Sequence, residues 1–561
     1  MKQKNTGSRY LIFFLVTLFY LVTKWITFKG FSGTDDLHYA NLASNVLKGS
    51  YSPFVLEDIF SGRIGLIYLQ ASIYFIGGIN AFTTQIATLL VTVLCCYLTV
   101  FRLGQIKKTG GFLAACSLFY FNPVLSQASL GIMPDVYIML TVIVVIMLWR
   151  KNFHQHSKTQ FVGINILIGF IILAAMFFKE NAIICIPFIF CLGIHNRKQQ
   201  GINAMVLVMT TFAVGVFICG GIYYHYTSDF FFRVHQIQHS NYPNVCNYAL
   251  LPAKDLIIRL TYGVWKEFII TGFLPVILAT ILISTHFLRK KNFRKQMPIN
   301  VIYFIILTVL GLYFPFSLKG YQPLCYNSRH FIFLYPFGVI IVIEYLQVAL
   351  EKNGVRYLKY FFLTSLFLLT VAMLGSGNKW MWMIYGLLSA CFMCYLFIKN
   401  GIIFKLRYFC FAIVVWLYMP YNLFFGNSNW FKHTDFLAAQ LSEKYYYFPE
   451  HVNMMTWKLF HRFNSSFHTY NLEPTPFKLF APYYEKMDTM FHPGWLIVNT
   501  AFTERSTAYL LIIRELGSKG YFKAQKKVGD MYAFYINDTI QFKYISALTA
   551  VDFANYNNCC K

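Results

Sequence analysis

Apolar runs of roughly 18 or more residues recur along most of this 561-residue chain, and a run of that length is what a helix needs to cross a bilayer. In lipid the backbone must satisfy its own hydrogen bonds, so each such run is expected to be an α-helix. A soluble globular domain is excluded by the same feature. The chain is 57% hydrophobic and only 12% charged, with a mean hydropathy of +0.51. Its net charge of +26 is of the kind that attracts nucleic acid. The Lys and Arg, however, fall in short clusters between apolar runs, as cytoplasmic loops of a membrane protein require, so no nucleic-acid partner is expected. Cys95, Cys96, Cys116, Cys185, Cys191 and Cys219 sit inside apolar segments and read as small buried hydrophobes. Cys246 and Cys325 fall in expected outer loops and could pair. The basic start, Met1 to Tyr10, precedes an apolar run without a small-residue cleavage site, which reads as a retained anchor.

The basic clusters set the topology. They are Arg102 to Lys108, Arg150 to Lys158, Arg197-Lys198, Arg289 to Lys295, Lys352 to Lys359 and Lys399 to Arg407. Two apolar runs separate each successive pair. Such hairpins place Pro134-Asp135, Lys179-Glu180, the loop 225–262, the loop 317–329 and Gly375 to Lys379 on the opposite, outer side. With a cytoplasmic N-terminus, Asp35 and Asp36 are outside as well. An odd number of crossings must then separate Asp36 from Arg102, yet two apolar runs lie there, about 62–79 and 81–101. The first carries Gly62, Gly65, Gly77 and Gly78 and is read as interfacial, the second as crossing. The expected architecture is a polytopic α-helical membrane protein of about 13 transmembrane helices over residues 1–426. The last span, about 408–426, exits outward, and residues 427–561 follow as a small extracytoplasmic α/β domain. In that tail Gly494 to Asn499 reads as a buried strand and Thr507 to Leu516 as a helix. Tyr521 to Val528 and Met531 to Asn537 read as strands meeting at Gly529-Asp530, a hairpin signal.

The outer face carries the groups that could do chemistry. Asp35 and Asp36 follow directly on the first span, where partial burial of two carboxylates costs several kcal/mol of hydration and is tolerated mostly where charge is used. The alternative is that they cap a helix from Leu37 to Lys48. Asp35 and His38, three apart, share a helix face, with Tyr39 beside them. Pro134-Asp135 at another outer mouth is also ordinary helix-start grammar. Arg63, Lys179, Arg233 and Arg329 supply cations on the same side. A phosphate at the membrane surface needs such charges, although each alone could be snorkelling to headgroups. Asp229 to His239 mixes aromatics, His and charge, which fits a helix in the interface. There His235 and His239, spaced i, i+4, are candidate metal ligands together with Asp36 and Asp135; the alternative is a polar helix face without metal.

Together these residues resemble the GT-C superfamily of polytopic glycosyltransferases, in particular the protein O-mannosyltransferases and the lipid A aminoarabinose transferases. The family's acidic pair after its first span, followed by Tyr-Ala and a small helix ending in Gly, is matched by Asp35-Asp36, Tyr39-Ala40 and Gly49. Its second acidic site is matched by Pro134-Asp135, its Lys at a later outer span end by Lys179, and its Arg-aromatic with a following Pro by Arg329-His330 and Pro336. His330 departs from the aromatic, Asp36 from the family's frequent Glu, and Arg63 stands where Lys is common. The likeness covers about residues 10–350. It implies transfer of a sugar from a polyprenyl-phosphate donor to an acceptor hydroxyl on a protein, lipid or glycan, at the outer face of what would be a bacterial inner membrane. Asp35 would be the base, with Asp36 and Asp135 orienting the acceptor or a divalent cation. His38, Tyr39, Arg63, Lys179 and Arg329 would bind substrate, and the anomeric configuration would invert. Two other classes compete. A transporter or flippase would place its ionisable groups mid-membrane and show internal repeats. A polysaccharide polymerase or ligase would centre on Arg233 and His235.

Overall fold

A computed structural model describes residues 6–27, 34–104, 106, 108–129, 131–152, 157–239, 248, 251–270, 274–288, 299–315, 321–325, 327–351, 440–441, 445–448, 468–471, 492–499, 525–528 and 531–536. The α-helices among them are α1 (Thr6–Thr27), α2 (Thr34–Leu47), α3 (Ile64–Gly77), α4 (Ala81–Tyr97), α5 (Thr109–Tyr120), α6 (Pro123–Ala128), α7 (Asp135–Asn152) and α8 (Lys158–Met176). They continue with α9 (Cys185–His195), α10 (Gly201–Thr227), α11 (Phe232–His239), α12 (Ala253–Ile258), α13 (Val264–Ile270), α14 (Leu274–Leu288), α15 (Ile299–Tyr313) and α16 (Tyr335–Glu351). The chain divides into two compact units. One comprises residues 1–26, 50–70 and 85–424, the other 27–49, 71–84 and 425–561.

The first unit is a helical body. Four stretches of described helix are long and apolar enough to cross a membrane: Gly7–Ile26, Phe82–Leu103, Lys158–Met176 and Gly201–Thr227. Large apolar side chains stand outward on them, Phe217 being 72% exposed, as surfaces that face lipid tails require. The protein is an integral membrane protein on these helices. Its interior is largely apolar, with Phe112, Trp149, Phe188, Phe304 and Phe337 buried, and several polar side chains there are bonded to one another. Tyr20 donates to Ser129 at 2.6 Å, and Asn152 and Asn165 exchange amide bonds at 3.0 and 3.3 Å between α7 and α8. Such pairing offsets the cost of burying each group.

The second unit holds α2, the turn between α3 and α4, and a sheet. The turn is written in its residues. Gly78 takes φ +70°, and Asn80 and Thr83 bond reciprocally, the Thr83 amide donating to Asn80 Oδ1 at 3.0 Å and the Asn80 amide to Thr83 Oγ1 at 3.1 Å. That is a capping box opening α4. α3 has 14 residues and so rises about 21 Å, short of the roughly 30 Å hydrocarbon core.

The sheet has five strands, β1 (Tyr445–Phe448), β2 (His468–Asn471), β3 (Gly494–Asn499), β4 (Gln525–Val528) and β5 (Met531–Ile536), in the order β2-β1-β3-β5-β4. β1 runs parallel to β2 and β3, while β3–β5 and β5–β4 are antiparallel. Val528 lies opposite Met531, so the two residues Gly529-Asp530 connect β4 to β5, the spacing of a two-residue hairpin. Tyr446, Trp495, Ile497, Met531 and Ala533 pack one face. The strand expected at 494–499 is β3, and β4 and β5 fall within the strands expected at 521–528 and 531–537, of which residues 521–524 and 537 lie outside the described residues. The helix expected over 507–516, the span 408–426, the clusters Lys352 to Lys359 and Lys399 to Arg407, and Gly375 to Lys379 lie outside the described residues.

Candidate functional site

Three breaks in helix regularity in the first unit carry its charged groups. α7 starts directly after Pro134, whose carbonyl accepts from Tyr137 and Ile138, so Asp135 stands in the first turn at the positive end of the helix dipole. α8 ends at Met176, and Lys179 is extended (φ −162°, ψ 133°) before a 3-10 turn, Glu180–Ile184, leads into α9. Another 3-10 turn, Ser328–Leu334, precedes α16. It is capped by Asn327, whose Oδ1 accepts from the Arg329 amide. One extended residue between two turns sends the neighbouring side chains of Lys179 and Glu180 to different partners.

Lys179 Nζ donates to Asp135 Oδ1 at 2.6 Å and lies 3.1 Å from His330 Nδ1, which is itself 3.1 Å from Asp135 Oδ1. Asp135 and Lys179 are buried. Burial alone would raise the Asp135 carboxyl. Lys179, His330 and Arg329 overcome it and hold the group well below the usual carboxylate range. The Lys179 ammonium is pushed down, by burial first.

Glu180 is the centre of a second cluster. Arg63 meets it side-on, Nε to Oε2 at 3.0 Å and Nη2 to Oε1 at 2.5 Å, the bidentate geometry that suits guanidinium to carboxylate. Arg233 Nη2 adds a bond to Oε2 at 3.3 Å. Burial would raise Glu180, but Arg63 and Arg233 prevail and hold it at about 2. Arg233 and Gln236, one turn apart on α11, also clasp the segment 50–63. Arg233 donates to the Ile59 carbonyl at 2.9 Å. Gln236 Nε2 donates to the Val55 carbonyl at 2.7 Å and to Ser61 Oγ at 3.1 Å. The clasp closes over Gly62, where a Cβ would come within 2.0 Å of Arg233 Nη1 and 2.3 Å of Gln236 Oε1, the ends of two long side chains that would have to shift.

The two clusters adjoin through the Lys179-Glu180 peptide and form one array, in which Arg63, Lys179, Arg233 and Arg329 gather about Asp135 and Glu180. Of the sequence candidates the array brings together Asp135, Lys179, Arg63 and Arg329, the last placing Nη1 3.6 Å from Met133 Sδ. Glu180, the carboxylate that holds Arg63 and Arg233, is the member of the candidate site the sequence reading passed over. The signal was present: an acid next to a Lys at the end of an apolar run has to find a cation or remain expensive.

Asp35, Asp36, His38 and Tyr39 belong to the second unit. α2 begins at Thr34, three residues before the expected start at Leu37, so the acidic pair lies within the first turn rather than ahead of it. Acidic side chains are stabilised in a first turn by the helix dipole, which lets the helix absorb them. Asp35 and His38 thus share a helix face. Asp36 is buried and its Oδ1 accepts from the Leu37 amide at 2.9 Å. Tyr39 is fully buried, while Asp35 and His38 are half-buried. The helix stops at Leu47, and Gly49 takes φ +69°, a left-handed position that ends helices and favours Gly.

His235 is paired with Asp229, Nδ1 to Oδ2 at 2.7 Å, and His239 is exposed at the end of α11. Among the described residues no three His, Cys, Asp or Glu side chains gather as a metal site. Cys325 is in a disulfide; Cys246 lies outside the described residues.

No protein-family model matches the chain, and a search of curated proteins gives no match either. Solved structures do match. ArnT from Cupriavidus metallidurans in the apo state superimposes with a TM-score of 0.54 at 11% identity, covering 93% of this chain and 97% of that one. ArnT bound to undecaprenyl phosphate gives 0.54 at 12% identity with the same coverage. The archaeal oligosaccharyltransferase AglB from Archaeoglobus fulgidus, in complex with an inhibitory peptide and a dolichol-phosphate, gives 0.47 at 10% identity over 94% of this chain and 74% of that one, too low to carry the fold by itself. ArnT is a lipid A aminoarabinose transferase of the GT-C superfamily. At this identity the likeness establishes the fold alone: the chain has the fold of ArnT.

Proposed function

We propose that the protein is an integral membrane glycosyltransferase that moves a sugar from a polyprenyl-phosphate donor to an acceptor hydroxyl on the extracytoplasmic side of a bacterial inner membrane. The observation that carries the reading is the convergence of four cationic side chains, Arg63, Lys179, Arg233 and Arg329, around Asp135 and Glu180. A lipid phosphate is an anion that such guanidinium and ammonium groups are suited to hold. The GT-C fold supports the same reading, because one of the matching structures holds undecaprenyl phosphate.

In this reading the acceptor oxygen attacks the anomeric carbon as the bond from that carbon to the phosphate oxygen breaks. Asp35 takes the hydroxyl proton, and the configuration inverts. Arg329, Lys179, Arg63 and Arg233 meet the negative charge that grows on the departing lipid phosphate. Asp135 and Glu180 set where those cations point. Asp36 and His38 serve the acceptor, and Tyr39 packs the motif. The assignment of Asp35 rests on its place in the acidic-pair motif.

The test is transfer of radiolabelled sugar from a panel of polyprenyl-phosphate sugars by the purified protein, wild type against Asp35→Asn. Turnover in the wild type that vanishes in the variant, at unchanged expression and membrane insertion, supports the reaction and its base. Near-normal turnover in the variant removes Asp35 from that role. No transfer by the wild type from any donor moves weight to a transporter.

A further inference from the structure

The outer loop ahead of α13 is fastened to the segment that leads into the Arg329 turn. Tyr248 is buried, its amide donates to the Tyr321 carbonyl at 3.0 Å, and the two rings lie 6.2 Å apart. Buried Arg259 donates through Nη2 to the Leu312 carbonyl at 2.8 Å. That carbonyl is in the last turn of α15, where helix carbonyls lack an intrahelical partner. The Tyr313 hydroxyl donates in return to the Leu260 carbonyl at 3.3 Å. Leu324 is buried, and Cys325 is in a disulfide. Only Tyr326 separates Cys325 from Asn327, the residue that caps the turn Ser328–Leu334 through the Arg329 amide.

Cys95, Cys96, Cys116, Cys185, Cys191 and Cys219 are free thiols, so the partner of Cys325 is a cysteine outside the described residues. Cys246 stands two residues before Tyr248, which is bonded to Tyr321 just ahead of Cys325. Cys391, Cys394 and Cys410 fall in apolar runs instead. Cys246 and Cys325 both belong to loops expected on the outer side, where disulfides form and persist.

We propose that Cys325 pairs with Cys246, and that this disulfide positions the Ser328–Leu334 turn for binding of the donor phosphate. A short 3-10 turn holds itself poorly, because its hydrogen bonds are less well aligned than those of an α-helix. A covalent tie just ahead of its cap, beside the Tyr248–Tyr321 bond, limits where Arg329 can point. Pre-organising a binding loop in this way raises affinity by removing the cost of ordering it on binding. The inference rests on the reading of Arg329 as a ligand of the lipid phosphate, and it adds a covalent support that lies outside the array.

The test uses the full-length protein in phosphatidylcholine nanodiscs. Peptide mapping by mass spectrometry without reduction should show a Cys246 peptide linked to a Cys325 peptide. Cys325 linked to any other cysteine, or present as a free thiol, overturns the proposal. Affinity for undecaprenyl phosphate is then read before and after dithiothreitol, which splits the S–S bond into two thiols and is itself oxidised to a cyclic disulfide. Affinity should fall about threefold to tenfold on reduction. Donor KM should rise by the same factor while kcat at saturating donor holds. The double variant Cys246→Ser/Cys325→Ser should bind like the reduced wild type and no longer respond to dithiothreitol. A disulfide that only supports the fold would lower the midpoint of thermal unfolding on reduction and leave the affinity of the still-folded protein unchanged. That result overturns the positioning role and leaves the transferase reading intact. Oxidised wild-type protein that neither binds undecaprenyl phosphate nor transfers sugar overturns that reading and this one together.

Discussion

α7 carries a polar cluster at each end, about 23 Å apart along its axis, and the two are built differently. At its C-terminal end Arg150 donates to Asn300 Oδ1 at 2.5 Å and to the Leu103 carbonyl at 3.3 Å, and stacks 5.1 Å over the Tyr303 ring. Asn300 passes the connection on to Glu344 at 3.4 Å. One guanidinium is joined there to one carboxylate through an amide. At its N-terminal end Arg63, Lys179, Arg233 and Arg329 gather about Asp135 and Glu180. Both clusters fasten helices, but they differ in how many cationic side chains they bring to one place. A single guanidinium tied to an amide reads as a fastening, whereas several cations converging are what an anion site requires, and this difference separates a fastening from a candidate site.

The difference can be broken by mutation. The largest effect is expected from Glu180→Gln, which leaves Arg63 and Arg233 buried without their shared carboxylate. Removing one partner of a buried pair costs about 3 kcal/mol, read as a lower midpoint of thermal unfolding, and transfer should fall with it. Unchanged stability would mean the two guanidiniums do not depend on Glu180. Arg150→Gln at the other end should cost about 2 kcal/mol of stability through its lost hydrogen bonds, while kcat/KM of the folded protein stays within about twofold. A loss of turnover beyond the loss of folded protein would erase the distinction between the two ends.

A smaller effect concerns pH. Glu180 is held at about 2 against an ordinary 4.5, and Asp135 is also held low. A depressed carboxyl stabilises the fold fully above its unfolded pKa and loses that contribution as pH falls through the folded value. These two groups therefore add nothing to the pH dependence of stability between about pH 6 and 8, and their stabilisation declines below about 4.5 towards 2. Thermal melts of Glu180→Gln should be flatter than wild type over that acid range. The smallest effect expected is from Gly62→Ala, where a methyl pushes on the Arg233 and Gln236 termini. Those ends can shift, so an increase in donor KM of a fewfold without loss of expression is the expected outcome. No change in KM would detach the clasp on segment 50–63 from donor binding.

Much of this was legible in the sequence, for identifiable reasons. Long apolar runs declare themselves by length, and α1, α8 and α10 are the simplest cases. The β4–β5 hairpin was marked by Gly529-Asp530 between two apolar-alternating segments. Helix-start grammar at Pro134-Asp135 placed α7 within a residue. The start of α2 was missed because an Asp pair suits a cap and a first turn almost equally. The pairings inside the array were not legible at all. Arg63 and Glu180 are 117 residues apart, and Asp135 and His330 are 195 apart. No local pattern says which cation a buried carboxylate will meet. The convergence of cations, which depends on those pairings, appears only when the helices are packed.

The most direct measurement is the affinity for undecaprenyl phosphate of Arg329→Gln and Arg150→Gln, side by side with wild type in the same nanodiscs. The account predicts a loss of about tenfold or more for Arg329→Gln and wild-type affinity for Arg150→Gln. Equal affinities for the two variants would contradict it, because the cations at the array would then be fastenings like those at the other end of α7.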